Sequence, residues 1–422
     1  MTASSTPLLR RFSAAAAGLA LVAPLASGAQ TQDSVDLKLS LILEGIYFNE
    51  LREGHRDPAG FGGHEHGDDH DHGHGDGYDE GFNMGHSELV IEGRLGEFME
   101  GVLNLGFTDS DLEVEEAYLR TRSLPAGFQI KAGKFFSDVG YINSSHPHSW
   151  DFVDRPLVNE YLFGDHGLQE IGVQATWLAP TRTYTRLGLE LLQGETSGVA
   201  NYLGARDDVE GTARILEDTE GPRLITAFAK FAPDLGADHA LQYGVSGGYA
   251  RRFQETEEHS SRYEDWNGTA WFAGLDAIYK YDAGGSYGHG NWRLQSEYFY
   301  REIDVDRRDV SFDGLTVSNE QRFKNKQDGI YLQGVYGVAP RWEAGLRAEA
   351  LGLSNEVGRG AGDSLDTSYR YSAMVTFRPI EPVFLRAQIN HNDFAEEDGR
   401  ERGLDFMLQL NVALGAHGAH RF

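Results

Sequence analysis

The chain of 422 residues contains no cysteine, so neither disulfides nor thiolate metal sites can hold it together. Basic residues are scarce: Lys and Arg together number 37 against 65 Asp and Glu, for a formal net charge of -28. That balance excludes a nucleic-acid partner bound through phosphates. After the N-terminal region there is no run of 18 or more apolar residues, so no helical membrane span is expected. P-loop, dinucleotide and nucleophile-elbow fingerprints are also missing, and no Ser/His/Asp set stands out; the expectation is a protein that is not an enzyme.

The N-terminus is read as a signal peptide, residues 1–29. Arg10 and Arg11 precede an apolar stretch from Phe12 to Ala26, and Ser27-Gly28-Ala29 supplies a small-residue cleavage site. Removing it takes away two positive charges and makes the mature chain still more acidic.

What the mature chain has is alternation with a period of two. Val35, Leu37, Leu39, Leu41 and Leu43 alternate with Asp36, Lys38, Ser40 and Glu44, with Ile42 out of step. The pattern recurs from Trp292 to Arg301, Trp342 to Ala350, Tyr369 to Arg378 and Leu385 to Asn390. One face is apolar and the other charged, as in a strand with lipid on one side and a polar lumen on the other. Only every second residue then meets lipid, which reconciles a barrel with a mean hydropathy of -0.44.

Sixteen segments are predicted: 35–48, 86–95, 98–108, 112–122, 128–136, 167–178, 182–193, 223–232, 241–253, 269–281, 291–303, 328–338, 342–353, 368–378, 383–394 and 403–416. Links after even segments are short. Links after odd ones are mostly long: 49–85, 137–166, 194–222, 254–268, 304–327 and 354–367. Short turns at one end and long loops at the other are the asymmetry of an outer-membrane barrel. The expected fold is therefore an all-β, antiparallel transmembrane barrel of about 16 strands, occupying residues 30–422 in the outer membrane of a Gram-negative bacterium. Its expected partners are outer-membrane lipid and the barrel-assembly machinery, whose signal the C-terminal strand ending in Phe422 resembles. A receptor with an internal plug domain is excluded, because the first segment begins near Val35.

Two loops carry chemistry. Residues 49–85 form the first external loop. Within and just beyond it, His64, His66, His70, His72, His74 and His86 are interleaved with Asp68, Asp69 and Asp71 among other acids. Imidazole suits zinc, copper and nickel, while carboxylates attract any cation. No metal cofactor is required by this pattern; it reads as a metal-binding loop that collects zinc or another divalent ion. In the third loop, 137–166, the polar set is His146, His148, Asp151, Asp154, Arg155, Glu160, Asp165 and His166. Arg186, Arg293, Arg347, Arg370 and Arg386 are read as wall charges facing acids across the lumen.

The stretch from about His86 to Pro180 resembles the phosphate- and pyrophosphate-selective porins. The residues concerned are Glu115-Glu116-Ala117-Tyr118-Leu119, Gly127 through Phe135, Asp154-Arg155-Pro156-Leu157-Val158-Asn159 and Ile171-Gly172-Val173-Gln174. The resemblance covers under a quarter of the chain. It implies a sixteen-stranded porin, usually a homotrimer, whose third external loop folds inward to constrict the pore. Anion selectivity is not carried over, because the chain lacks an excess of Arg and Lys. The leading expectation is a channel for small polar solutes and ion transport, favouring divalent metal cations such as zinc. The alternatives are a metal-binding surface barrel or receptor without an open pore, and an anion or general porin with an incidental His-rich loop.

Overall fold

The computed structural model describes residues 35–54, 57–61, 78–109, 111–164, 166–201, 220–259, 261–312, 316–358, 363–396 and 399–415. The expected signal peptide, His64, His66, His70, His72, His74, Asp68, Asp69, Asp71, Asp165 and the terminal Phe422 lie outside them.

The first strands are β1 (Val35–Arg52), β2 (Gly81–Met84), β3 (Ser87–Leu95), β4 (Met99–Phe107), β5 (Leu112–Thr121) and β6 (Phe128–Phe136). After a helix, α1 (Leu157–Phe163), come β7 (Gln169–Leu178), β8 (Tyr184–Leu192), β9 (Leu224–Ala232), β10 (His239–His259), β11 (Arg262–Tyr281) and β12 (Trp292–Ser311). The remainder are β13 (Val317–Ala339), β14 (Trp342–Val357), β15 (Asp363–Ser364), β16 (Ser368–Ile380), β17 (Val383–Glu396) and β18 (Gly399–Gly415).

Every pairing is antiparallel, and β1 closes on β18 from Ser40↔Gly415 to Arg52↔Leu404. The short β2 continues the line of β3 along β1, and β15 is a two-residue pairing on the end of β14. The architecture is thus a closed barrel of 16 spanning strands.

The two faces are inverted relative to a soluble sandwich. Leu37, Leu39, Leu187, Leu189, Leu346 and Val375 are exposed on the outer wall, while Glu44, Glu190, Arg347, Arg370 and Thr376 are buried inside. Ile42, out of phase by sequence, faces inward with Ile46 and Phe48.

The strands differ from the predicted segments chiefly at the long-loop end. Residues 254–268 and 304–327 are ladder for most of their length: β10 to β13 run 21, 20, 20 and 23 residues, against 9 for β3, β4, β8 and β9. Beyond the apolar band the outer face meets water instead of lipid, while Phe253, Ile303, Val305 and Phe323 turn inward into the apolar cluster, so the sequence no longer alternates apolar-out and polar-in although the hydrogen-bonded ladder continues. Opposite charges across the ladder mark this zone, as in Arg322–Asp304 at 2.7 Å and Lys324–Glu302 at 2.8 Å.

The lumen is crossed by the chain between β6 and β7, residues 137–168, here called loop 3. On α1, Leu157, Val158, Leu162 and Phe163 are buried, and the Phe163 ring meets Phe272 and Phe299 edge-on at centroid distances of 5.1 and 4.9 Å. The N-terminal amide of Leu157 donates to Glu349 Oε2 at 2.7 Å, satisfying one donor that the helix cannot. Phe61, Val199 and Ala200 join the same apolar cluster from the loops that precede β2 and β9.

Candidate metal centre in the lumen

Below loop 3, toward the short-turn end, lies a cavity of about 580 Å³. Its wall includes Glu88, Glu92, Glu116, Asp151, Glu343 and Glu381, against the basic Lys280, Arg293 and Arg378. His146 and His148 line it from loop 3, and Ile42, Val90 and Val102 supply apolar surface.

Three local features of the chain concentrate titratable groups on one side of this cavity. Between β2 and β3 the strand breaks at Gly85-His86. A Cβ at Gly85 would come within 2.6 Å of Glu44 Cγ, so any other residue there would displace the Glu44 side chain. The His86 amide donates to Glu44 Oε2 at 2.7 Å, which fixes the break.

The second feature is a β-bulge. In the β4–β5 register Asn104 pairs with Glu116 but Leu105 pairs with Val114, leaving Glu115 as the extra residue. Adjacent strand residues normally point to opposite faces. The bulge instead lets Glu115 and Glu116 both bury their carboxylates inside, at 4% and 8% exposure.

The third feature is the turn Pro147–Ser149, which presents His146 and His148 with their rings stacked at 5.8 Å.

The resulting constellation is compact. One ligand atom each from His86, Glu88 and Glu115 fits within a mutual distance of 4.8 Å. His86 Nε2 lies 2.6 Å from Glu115 Oε1 and 3.9 Å from Glu88 Oε1. His146 Nδ1 is 3.4 Å from Glu88 Oε2 and 3.6 Å from Glu115 Oε2, while its Nε2 is 3.0 Å from Glu116 Oε2. His148 Nδ1 is 2.9 Å from Glu88 Oε1. Asn104, nearly fully buried, donates to Glu88 Oε2 at 2.8 Å and Glu115 Oε2 at 3.2 Å, yet its own Oδ1 accepts no hydrogen bond. Burial works against a charged imidazole at His146, but Glu88, Glu115 and Glu116 outweigh it and hold its pKa well above the ordinary value.

The remaining loop-3 residues serve anchoring. Asp154 is buried and accepts from Arg347 at 2.6 Å, Arg370 at 2.9 Å, Gln388 at 2.5 Å and Asn390 at 3.1 Å. Asp151 accepts from Arg293 Nε at 2.7 Å, and the same guanidinium reaches Glu343 at 2.9 Å. Arg386 donates to the Trp150 carbonyl at 2.8 Å, Arg186 pairs with Asp138 at 2.7 Å, and Arg155 stacks on the Trp150 ring at 5.0 Å. The five arginines expected to face acids across an open lumen therefore all bind loop 3. A loop folded into the lumen brings acids and carbonyls to them, and the period-two pattern carries no sign of that. His166 is exposed and joins neither group, while Glu160 is buried on α1.

Sequence reasoning singled out His86, His146 and His148 but placed them in separate loops. It did not single out Glu88, Glu115 or Glu116 as ligands. The signal available for the glutamates was their adjacency: two consecutive carboxylates in a spanning strand force one toward lipid unless the strand bulges.

No protein-family model matches the chain. An uncharacterized protein of Aquifex aeolicus (strain VF5) is 32% identical over 372 residues, covering 86% of this chain and 73% of that protein. The chain belongs to the family of that Aquifex protein. Among solved structures, this family member is similar to OmpTdeltaL8, a loop L8 deletion mutant of the Vibrio cholerae outer membrane protein OmpT, with 14% identity and a TM-score of 0.53 over 90% of this chain and 99% of that one. In-vitro folded Vibrio OmpT in a trimer form gives 11% identity and a TM-score of 0.51, covering 90% and 99% of the two chains. The outer membrane channel DcaP of Acinetobacter baumannii gives 14% identity and a TM-score of 0.50, covering 90% and 97%. At such identities these likenesses establish the fold, and the Aquifex family thus has the fold of outer-membrane barrels.

Proposed function

We propose that this protein is a channel in the outer membrane of a Gram-negative bacterium, passing small polar solutes and favouring divalent metal cations such as zinc. It carries out no catalytic step. The observation that supports cation preference best is the lumen cavity, whose lining carries Glu88, Glu92, Glu116, Asp151, Glu343 and Glu381 against Lys280, Arg293 and Arg378. Fixed negative charge in a pore raises the local concentration of cations, and salt screens the effect over a Debye length of about 10 Å at 0.1 M. Loop 3 is the constriction in this reading, anchored by the buried Asp154. The protein sits in outer-membrane lipid after delivery by the barrel-assembly machinery and assembles as a homotrimer, as the trimer form of Vibrio OmpT suggests by analogy of fold. In planar bilayers under a KCl gradient at low ionic strength, the reversal potential is expected to show preference for cations, fading as salt rises. A clear anion preference would overturn it.

The histidines of residues 64–74 would act as the outer collector, delivering ions to the mouth. Replacing His64, His66, His70, His72 and His74 together with Ala is expected to leave conductance intact and reduce the number of zinc ions bound per chain in calorimetry. Equal zinc binding by both proteins would leave this segment as ordinary acidic loop.

A second reading, a metal-binding barrel without an open pore, is favoured by the apolar cluster that Phe163, Phe272 and Phe299 build across the lumen. The bilayer measurement separates the two, because a closed barrel carries no current.

A further inference from the structure

We propose that a zinc-class transition-metal ion binds between the barrel wall and loop 3, held by His86, Glu88, Glu115 and His146, and that its binding clamps loop 3 against β3–β5 and closes the path for other ions. This deepens the channel reading, on which it rests for the existence of a path to close.

The donor set is the kind such an ion selects. Imidazole nitrogen and carboxylate oxygen bind zinc at about 2.0–2.2 Å in a roughly tetrahedral array. Ligand atoms of His86, Glu88 and Glu115 already lie within 4.8 Å of one another, so they need to move by only a fraction of that distance. The fourth position is filled from loop 3. His146 Nδ1 sits 3.4 and 3.6 Å from the same two glutamates, and its other ring nitrogen meets Glu116 at 3.0 Å. A ligating histidine commonly gives its second N–H to a carboxylate, which fixes the ring; Nδ1, which now lies 3.3 Å from Asn104 Nδ2, then faces the two glutamates as the ligating atom.

Asn104 supports the same conclusion independently. It is about 1% exposed, and its amide group aims into the cluster while its Oδ1 accepts no hydrogen bond. The amide nitrogen that donates to Glu88 and Glu115 also lies 3.3 Å from His146 Nδ1, so one buried side chain holds a ligand group of the wall and the ligand group of loop 3 in register. The bulge at Glu115 and the strand break at His86 both depart from regular ladder to turn a ligand inward, and bulges commonly re-aim a side chain in this way.

The consequence follows from what each ligand is attached to. His86, Glu88 and Glu115 belong to the wall, whereas His146 belongs to loop 3. On the opposite wall, loop 3 is tied by Arg347 and Arg370 through Asp154. An ion at the histidine end therefore completes a strap across the lumen, and loses its own route onward while bound.

The test uses the full mature chain in detergent, with His64, His66, His70, His72 and His74 replaced by Ala so that the outer collector is absent. Zinc chloride titrated into this protein in a calorimeter should bind at one ion per chain. E115Q and H146A, added separately, should each weaken that binding by more than the roughly 10-fold that loss of an outer partner costs. Heat-modifiable gel mobility verifies that each variant has folded. In planar bilayers, zinc should reduce the current of the parent barrel over the range in which it binds, and E115Q should shift that range upward by a similar factor. Absence of stoichiometric binding, or binding by E115Q and H146A as tight as that of the parent, would overturn the site. Binding without loss of current would overturn the clamp. Cation preference is measured in KCl without zinc, so failure there leaves the zinc result standing on its own.

Discussion

Replacing Asp154 with Ala is expected to release the middle of loop 3 and to raise single-channel conductance severalfold. Asp154 is fully buried and takes hydrogen bonds from two guanidiniums and two amides on three strands, β14, β16 and β17. Without it, Arg347 retains Glu349 at 2.7 Å and Arg370 retains Asn392 at 2.9 Å, so one carboxylate is left for two buried cations. Breaking a buried pair by removing one partner typically costs about 3–5 kcal/mol. The barrel's own ladder does not depend on Asp154, so the loss should be relieved by the loop leaving the wall. Asp154→Asn, which keeps the shape and loses the charge, should fall between. Conductance of Asp154→Ala equal to that of the parent, with an unchanged urea midpoint, would mean that Asp154 does not anchor the loop.

Leu189→Arg on β8 is expected to destabilise the barrel by about 2–4 kcal/mol when folding is followed in lipid vesicles. Leu189 is 49% exposed near the middle of a nine-residue strand, between the inward-facing Gly188 and Glu190. Charge at mid-bilayer carries that penalty, while the same substitution near either end of the strand should cost about 0–1 kcal/mol. A negligible effect at Leu189 would show that this face does not meet hydrocarbon.

Alternation made the barrel legible because lipid and lumen demand opposite chemistries from neighbouring residues. The prediction for β6, 128–136, coincides with the observed Phe128–Phe136. Where the outer face leaves lipid and becomes charged while the inner face takes up Phe253, Ile303, Val305 and Phe323, the lipid-against-lumen pattern is lost, and β10–β13 therefore read as loops beyond residues 253, 269, 303 and 328. The candidate site was half visible. His86, His146 and His148 attract notice as residue types, but their meeting depends on loop 3 folding into the lumen against wall residues 30 to 60 positions earlier in the chain. Glu115 was hidden for a different reason: a bulge changes the phase by one residue, and a count by twos assigns that residue to lipid.

The unequal strand lengths shape the way into the barrel. All strands begin from short turns at one end, so the difference accumulates at the other. The 23 residues of β13 outrun the nine of β8 by a contour of roughly 45 Å, or about 35 Å of height at a strand tilt near 40°. Among the described residues, the mouth is therefore a slanted rim, walled high along β10–β13 and low along β3–β9. A solute diffusing over the membrane surface toward β10–β13 meets a tall wall of hydrogen-bonded strand that it must pass over or around. The strand wall around the mouth is lopsided, and in an assembly of several copies the direction in which each high side faces would decide whether neighbouring mouths are screened from one another or share one antechamber.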